Sequence, residues 1–228
     1  MEVRVCQKWL REAWFKSTSF KVKPQLWVSG NKLKITTFKK GGIGMRSVRT
    51  YTADLNEECC IEIPDTLRAY LSQMDTEDEI TLKLAKSNVL SVILEACSYG
   101  VQYQIPNIIR TEDMSVDTSP KDCRIQVCTK SWSNLCRMMP SKGEITLACK
   151  MDKKIVTFKH SKGRWAAAIT AKTKASKDAS FVCDSGVTKF CFTEAAKAPT
   201  FSTLIFMDCG VLKWESGNTS VHLAPFVE

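Results

Sequence analysis

The strongest constraint on the fold is an internal repeat with a spacing of 122 residues. Residues 3–8 read Val-Arg-Val-Cys-Gln-Lys, and residues 125–130 read Ile-Gln-Val-Cys-Thr-Lys. Two apolar dipeptides recur at the same spacing: Thr81-Leu82 as Thr203-Leu204, and Val89-Leu90 as Val211-Leu212. Matches in the same order at one spacing are hard to obtain by chance. The repeat therefore predicts that the 228-residue chain contains two copies of one unit. Each copy would have roughly 105–110 residues, an ordinary domain size.

Each copy begins with a predicted strand that leads into a helix. Val3 and Val5 alternate with polar neighbours, and this period of two is typical of a half-buried strand. Over residues 131–138 the apolar positions recur with the period of a helix instead. The positions predicted to face the core are Trp132, Leu135, Cys136 and Met139. Lys130 and Arg137 lie off that face, so the predicted helix is amphipathic with a basic outer side.

Further strands and a second helix follow in each copy. The second helices are predicted over residues 65–74 and 193–198, each after a strand, at residues 59–63 and 187–192. This order predicts an α+β fold in which each copy combines antiparallel strands with two helices. Three segments result: residues 1–105 as the first domain, 106–121 as an acidic and polar connector, and 122–228 as the second domain.

The net charge of +9 is unevenly distributed along the chain. Residues 1–50 contain twelve Lys and Arg against two acidic residues, a net charge of +10. Residues 51–122 contain five Lys and Arg against fourteen acidic residues, a net charge of −9. Residues 123–228 contain sixteen Lys and Arg against eight acidic residues, a net charge of +8. A basic surface at the start of each copy attracts polyanions, of which nucleic acid is the commonest. The alternative is a charge that serves only solubility.

The eleven cysteines do not have the spacing of a metal site. No Cys-x-x-Cys pair is present, whereas zinc sites usually present two close pairs. We interpret the cysteines as small buried residues in a reducing compartment. No apolar run approaches the roughly 18 residues that cross a bilayer, and the N-terminal residues lack the apolar segment of a secretory signal. An intracellular protein in a reducing compartment is therefore expected.

An enzymatic constellation is not evident either. Residues 40–44 are glycine-rich but lack the Gly-Lys-Ser/Thr ending of a phosphate-binding loop, so they predict a hairpin loop. Only His160 and His222 could act as an imidazole base, and neither is paired in sequence with a nucleophile. We therefore expect no enzymatic activity, no cofactor and no metal.

The order of elements resembles that of the sliding clamps of DNA replication, of the proliferating cell nuclear antigen type. The most specific resemblance is near the C-terminus, where two apolar strands (residues 202–207 and 211–214) precede a last strand that ends in Leu223-Ala224-Pro225. Residues 80–83 and 92–96 resemble the equivalent end of the first domain. The chain is shorter than cellular clamps and basic where they are acidic, which points to a divergent member of viral or cellular origin. The resemblance implies a location in the nucleus or at a replication site in a host cell.

The resemblance implies a ring subunit with antiparallel sheets outside and helices on the inner face, commonly assembled as a homotrimer around double-stranded DNA. Sequence-independent sliding implies phosphate contacts rather than base contacts. The implied DNA-binding residues are Lys8, Arg11, Lys16, Arg68, Lys130, Arg137 and Lys197. The alternative for each is the solvent-exposed face of an amphipathic helix.

The resemblance also implies a hydrophobic groove that binds DNA polymerase and other replication proteins. Partners of the family insert an aromatic and aliphatic plug beside the connector and the C-terminal tail. The implied groove residues are Ile109, Met114, Val116, Val211, His222, Ala224 and Pro225.

Other functions remain open from the sequence. A herpesvirus-type processivity subunit has the same two-domain fold but binds DNA by charge as a monomer or open dimer. A checkpoint-clamp subunit, or a transcription factor that uses the clamp fold as a scaffold, are further alternatives. The oligomeric mass with and without DNA distinguishes the closed ring from the monomeric subunit.

Overall fold

The computed structural model describes eleven segments of the chain. They are residues 2–10, 24–29, 32–39, 44–52, 59–72, 79–96, 99–111, 118–163, 165–193, 200–217 and 219–225. Within these segments the fold is α+β, with mostly antiparallel sheets and few helices. The alternating apolar positions predicted this class.

The chain divides into two compact units. Unit 1 comprises Met1–Phe38 and Ser47–Ser115, and unit 2 comprises Lys39–Arg46 and Val116–Glu228. Each unit contains its own strands, helices and buried core.

Unit 1 contains all or most of eight strands, in two sets of four hydrogen-bonded neighbours. The strands are β1 (Glu2–Cys6), β2 (Gln25–Ser29), β3 (Lys32–Lys39), β4 (Gly44–Thr52), β5 (Cys59–Glu62), β6 (Glu79–Leu84), β7 (Leu90–Ala96) and β8 (Tyr99–Ile105). Their orders are β1-β6-β7-β8 and β5-β2-β3-β4. Helix α1 is described over residues 7–10, and helix α2 is Asp65–Ser72.

Unit 2 contains the equivalent elements in the same sequence. The strands are β9 (Cys123–Cys128), β10 (Glu144–Cys149), β11 (Ile155–His160), β12 (Ala166–Thr170), β13 (Ala179–Asp184), β14 (Phe201–Phe206), β15 (Leu212–Ser216) and β16 (Thr219–Leu223). Their orders are β9-β14-β15-β16 and β13-β10-β11-β12, which reproduce the two orders of unit 1. Helix α3 is Thr129–Met138 and helix α4 is Ser185–Thr193.

The pairing register repeats as well as the strand order. In unit 1, Val3 of β1 lies opposite Leu82 of β6, and in unit 2, Ile125 of β9 lies opposite Leu204 of β14. Both partners are shifted by 122 residues, and the other pairs of β1 and β6 follow the same shift. Because a slip of one residue would turn every buried side chain outward, the common register keeps equivalent residues in the two cores.

Apolar side chains fill the interior of each unit. In unit 1, Val5, Leu10 and Ile80 are fully buried and join the strands to the first helix. In unit 2, the buried Trp132 of α3 packs against Phe158 of β11, with ring centroids 5.6 Å apart. The predicted inward face of α3 is confirmed, since all four of its residues are buried: Trp132, Leu135, Cys136 and Met139.

The prediction for the second helix of unit 2 was wrong. Residues 187–192 were expected to form a strand, but they belong to α4, and the strand before it is β13. Asp184 starts the helix, because its Oδ1 accepts the N–H of Val187 at 2.8 Å and its carbonyl accepts the hydroxyl of Thr188 at 2.7 Å. This capping outweighs the strand preference of Val and Thr. Residues 194–198 of the predicted helix lie outside the described residues.

Candidate nucleic-acid interface

Helix α3 presents a narrow basic stripe on its exposed side. Lys130, Asn134 and Arg137 are exposed, and their spacing of four and three residues places them on one face. Lys130 and Arg137 are seven residues apart, which corresponds to about 10 Å along the axis. The helix contains no acidic residue. The stripe can therefore contact an anionic surface without repulsion from its own helix.

Neighbouring elements fix the position of α3. At its C-terminal end, the ammonium group of Lys189 on α4 donates to the carbonyl of Met139 at 3.1 Å. A cation at a helix C-terminus satisfies a free carbonyl and is favoured by the helix dipole. At the other end, the N–H of Thr129 donates to the carbonyl of Thr200 at 3.0 Å. The basic stripe thus lies on a helix that is anchored at both ends.

The residue before α3 is a half-buried cysteine, Cys128. Its neutral thiol makes no capping hydrogen bond, but the thiolate can accept hydrogen bonds from the backbone and side chain of Ser131, and it lies near the ammonium group of Lys130. These interactions outweigh burial and hold the pKa of Cys128 below its usual value. The start of α3 is therefore electropositive.

The other predicted DNA-binding residues are only partly described. Lys8 is exposed on α1, 122 residues before Lys130, as the repeat requires. Beside it, the Nε2 of buried Gln7 donates to the carbonyl of Leu71 at 2.6 Å, near the end of α2. Arg68 lies in α2. The remaining candidates lie outside the described residues: Arg11, Lys16 and Lys197.

The predicted groove residues belong to both units. Ile109 in unit 1 is 53% exposed. In unit 2, Val211 and Ala224 are half-buried and Pro225 is exposed, whereas His222 on β16 is buried. Two of the candidates lie outside the described residues: Met114 and Val116.

Three of these unit 2 residues meet at one end of a hairpin. Leu212 and Leu223 are a paired position of β15 and β16, so the adjacent Val211, Ala224 and Pro225 lie beyond the same pair. His222 instead lies opposite Lys213 within the sheet. The hairpin therefore brings together Val211, Ala224 and Pro225, while burial keeps His222 from forming an open groove wall.

Two edge strands lack the usual protection against pairing. No further strand pairs with β8 or β12 on its outer side within its own unit, as far as the described segments extend. Neither strand contains a charged residue or a proline. By contrast, the edge of β5 is covered, since Glu62 donates its N–H to Ile109 at 2.9 Å and Thr111 donates to Cys60 at 2.9 Å. Charges, proline or a covering segment normally protect exposed edges.

A buried carboxylate joins the end of the connector to the hairpin turn of β14 and β15. Asp122 Oδ2 accepts the N–H of Ser119 at 2.6 Å, and Oδ1 accepts the Ser119 hydroxyl at 3.2 Å and the N–H of Asp208 at 3.0 Å. Burial acts to raise its pKa, but these hydrogen bonds and the nearby Arg124 outweigh it, so the pKa of Asp122 is lowered. The carboxylate therefore stabilises the folded state in its charged form.

Sequence reasoning missed two of these features. Asn134 was not predicted in the basic stripe, although its position four residues after Lys130 was a sufficient signal. Lys189 gave no sequence signal, because its partner is 50 residues away.

No group of three or more His, Cys, Asp or Glu side chains that could hold a metal ion occurs among the described residues. The same residues include no helix long and apolar enough to cross a membrane. Comparison with known proteins found no matching family model and no matching curated protein.

Proposed function

We propose that the chain is a processivity factor of the sliding-clamp class, which holds double-stranded DNA independently of sequence and tethers DNA polymerase and other replication proteins. The observation that carries the proposal is the repeated architecture: two units with the same strand order and, for β1–β6 and β9–β14, the same register. The fold proposed is that of two tandem clamp-type domains with sheets outside and helices on the inner face. No reaction is assigned to the chain.

The basic helix faces support DNA as the ligand. Lys8 and Lys130 occupy equivalent positions of the repeat, and both are exposed. On α3, the two cations, Lys130 and Arg137, are both exposed. Lysine and arginine contacts to phosphate position a protein without specifying sequence, which is the property that sliding requires.

The edge strands support assembly into a ring. Pairing of β8 in one copy with β12 in the next would cover both unprotected edges. Such a head-to-tail contact repeats by rotation and closes into a ring if the angle permits. A homotrimer would have a mass of three times 25.6 kDa, about 77 kDa. We propose this trimer, in the nucleus or at a replication site in a host cell.

The hairpin end in unit 2 supports partner binding. Val211, Ala224 and Pro225 provide apolar surface beside a short turn, and Ile109 of unit 1 is exposed. We assign the three residues of unit 2 to the binding of an aromatic or aliphatic anchor from a replication protein.

Light scattering with and without circular DNA tests the proposal. We expect a mass of about 77 kDa for the free protein. Once loaded, the protein should stay bound to closed circular DNA and be released when the circle is cut. A clean monomer at micromolar concentration that binds linear and circular DNA equally would contradict the ring and favour the herpesvirus-type subunit.

A single proline tests which edge closes the ring. The carbonyl of Trp165 accepts the N–H of His160 on β11 at 3.0 Å, and Ala171 donates its N–H to the carbonyl of Lys154, just before β11, at 2.9 Å. By alternation, the N–H of Ala168 therefore points away from β11. Ala168→Pro therefore removes a donor from the free edge and leaves the sheet of unit 2 intact. We expect it to convert the trimer to monomers, while the control Ala168→Ser stays trimeric. A trimeric Ala168→Pro protein would exclude β12 from the interface.

A further inference from the structure

Two loops of unit 2 form one rigid surface at the end of a sheet. The first loop connects β10 to β11 over residues 150–154, and the second follows β12 over residues 171–178. Met151 and Ala175 form a β-bridge between them. The N–H of Asp152 also donates to the carbonyl of Ala175 at 3.2 Å. The loops therefore hold each other in place.

The second loop is also tied to β9. Lys172 donates its N–H to the carbonyl of Gln126 at 2.7 Å, and Gln126 donates its N–H to the hydroxyl of Thr173 at 2.8 Å. Ala175 is buried, while Lys172 and Lys174 are exposed. Because buried and exposed positions alternate along this loop, Lys172 and Lys174 lie on the outward side of a backbone that hydrogen bonds hold in place.

The lysines of these loops exceed the carboxylates that could neutralise them. Lys150 pairs with Asp178 at 2.8 Å, and Lys177 pairs with Asp208. The other four lysines are all exposed and are called here the platform lysines: Lys153, Lys154, Lys172 and Lys174. None of the four forms an ion pair within the described segments. The exposed Asp152 in the first loop offsets one of these charges, so the cations still outnumber the remaining carboxylate. A rigid cluster with such an excess of cations favours a polyanion as ligand.

The platform adjoins the basic stripe of α3. The ammonium group of Lys172 lies 4.3 Å from the ring centroid of Phe201, which is 40% exposed. Phe201 lies opposite Cys128, the residue immediately before α3. Lys130 follows two residues later. The positive surface therefore continues from the platform lysines to the start of α3.

We propose that the platform lysines form a second phosphate-binding surface, continuous with the basic stripe of α3, which contacts the backbone of duplex DNA. The choice of DNA as ligand rests on the proposed function, but the surface itself does not. Lysine ammonium groups bind phosphate as point charges without reading base edges. The platform thus lengthens the path along which unit 2 holds the DNA backbone.

Salt dependence gives the expected size of the effect. Each phosphate contact contributes about 0.9 to the slope of the logarithm of the binding constant against the logarithm of salt concentration. At about 0.1 M salt, loss of one contact therefore weakens binding about 8-fold. Lys172→Gln with Lys174→Gln should lower the slope by up to about 1.8 and weaken binding by up to about 60-fold.

The experiment measures fluorescence anisotropy with a labelled linear duplex of about 30 base pairs over about 0.05–0.3 M salt. The control is Lys159→Gln with Lys162→Gln, which removes the same charge from exposed positions on β11 and the turn after it. Thermal unfolding of each variant verifies that the fold is intact. We expect a lower slope for the platform variant and a smaller change for the control.

A third variant, Lys130→Gln with Arg137→Gln, separates this proposal from the proposed function. If the α3 variant binds duplex DNA more weakly and the platform variant binds it as the control does, the platform proposal is refuted and the assignment of α3 to DNA binding is supported. If only the platform variant weakens binding, the platform stands and the assignment of α3 fails. Unchanged duplex binding of the platform variant with lost binding to poly-glutamate would identify an acidic protein partner instead and overturn the proposal.

Discussion

Replacement of Asp122 should destabilise the chain by removing one acceptor of three hydrogen bonds. Hydrogen bonds to a charged group contribute about 1.5–3 kcal/mol each when buried. Because Asp208 is exposed and Ser119 is half-buried, water can replace part of the loss. We therefore expect Asp122→Ala to lower the free energy of unfolding by about 2–3 kcal/mol, and the Tm by about 5–10 °C for a chain of this size.

The effect should depend on pH in one direction. The pKa of Asp122 is lowered in the folded state, so its contribution is present above the unfolded pKa of about 3.9. The contribution is lost as the pH falls through the lower folded value. Asp122→Asn keeps the shape and one acceptor oxygen, so it should cost about 1 kcal/mol at pH 7. The difference from the wild type should shrink below about pH 4.

Denaturant unfolding monitored from about pH 7 to pH 3 measures both effects. Asp152→Asn is the matched control, since Asp152 is exposed and its positive φ of 60° suits asparagine equally well. A destabilisation by Asp122→Ala no larger than that of the control would refute the reasoning. So would a difference between wild type and Asp122→Asn that stays constant down to pH 3.

Three further outcomes are expected. Trp132→Ala should cost about 3–5 kcal/mol in urea unfolding, because it leaves a cavity in the core of unit 2; a cost below 1 kcal/mol would contradict the packing. An aromatic disulfide reagent at pH 8 should modify Cys128, whose pKa is lowered, well before Cys149 and Cys183. Burial and a neighbouring thiol raise the pKa of Cys149 to about 12, and burial raises that of Cys183 to about 11. Peptide mass spectrometry measures the order of modification, and the reverse order would contradict the prediction. Gly143→Ala should cost about 1–3 kcal/mol in the same urea assay, because φ is +102° and the added Cβ would lie 2.5 Å from a histidine ring nitrogen; an unchanged midpoint would disprove the strain.

The sequence predicted features that depend on local periodicity. The inward face of α3, with Trp132 and Leu135, follows from a spacing that a helix must place on one side. The alternation of Val3 and Val5 likewise predicted the buried side of β1. In both cases one element determines the burial, so neighbours in sequence carry the necessary information.

Features that depend on distant partners were not predicted. The hydrogen bond from Lys189 to the end of α3 joins residues 50 positions apart, and Asp122 meets Asp208 across 86 positions. The start of α4 was misplaced for another reason. Val187 and Thr188 favour strands, and only the position of Asp184 relative to them indicates a helix cap.

The common register of β1–β6 and β9–β14 makes these strand pairs interchangeable modules. A chimera in which Glu2–Cys6 is replaced by the residues of Arg124–Cys128 would keep each alternate apolar side chain on the inner side. The hairpins that follow are not equivalent in this way, since β7 pairs seven residues with β8 and β15 pairs five with β16. The first strand pair of each unit thus tolerates exchange of its sequence, whereas exchange of the later hairpins would leave two residue pairs unmatched.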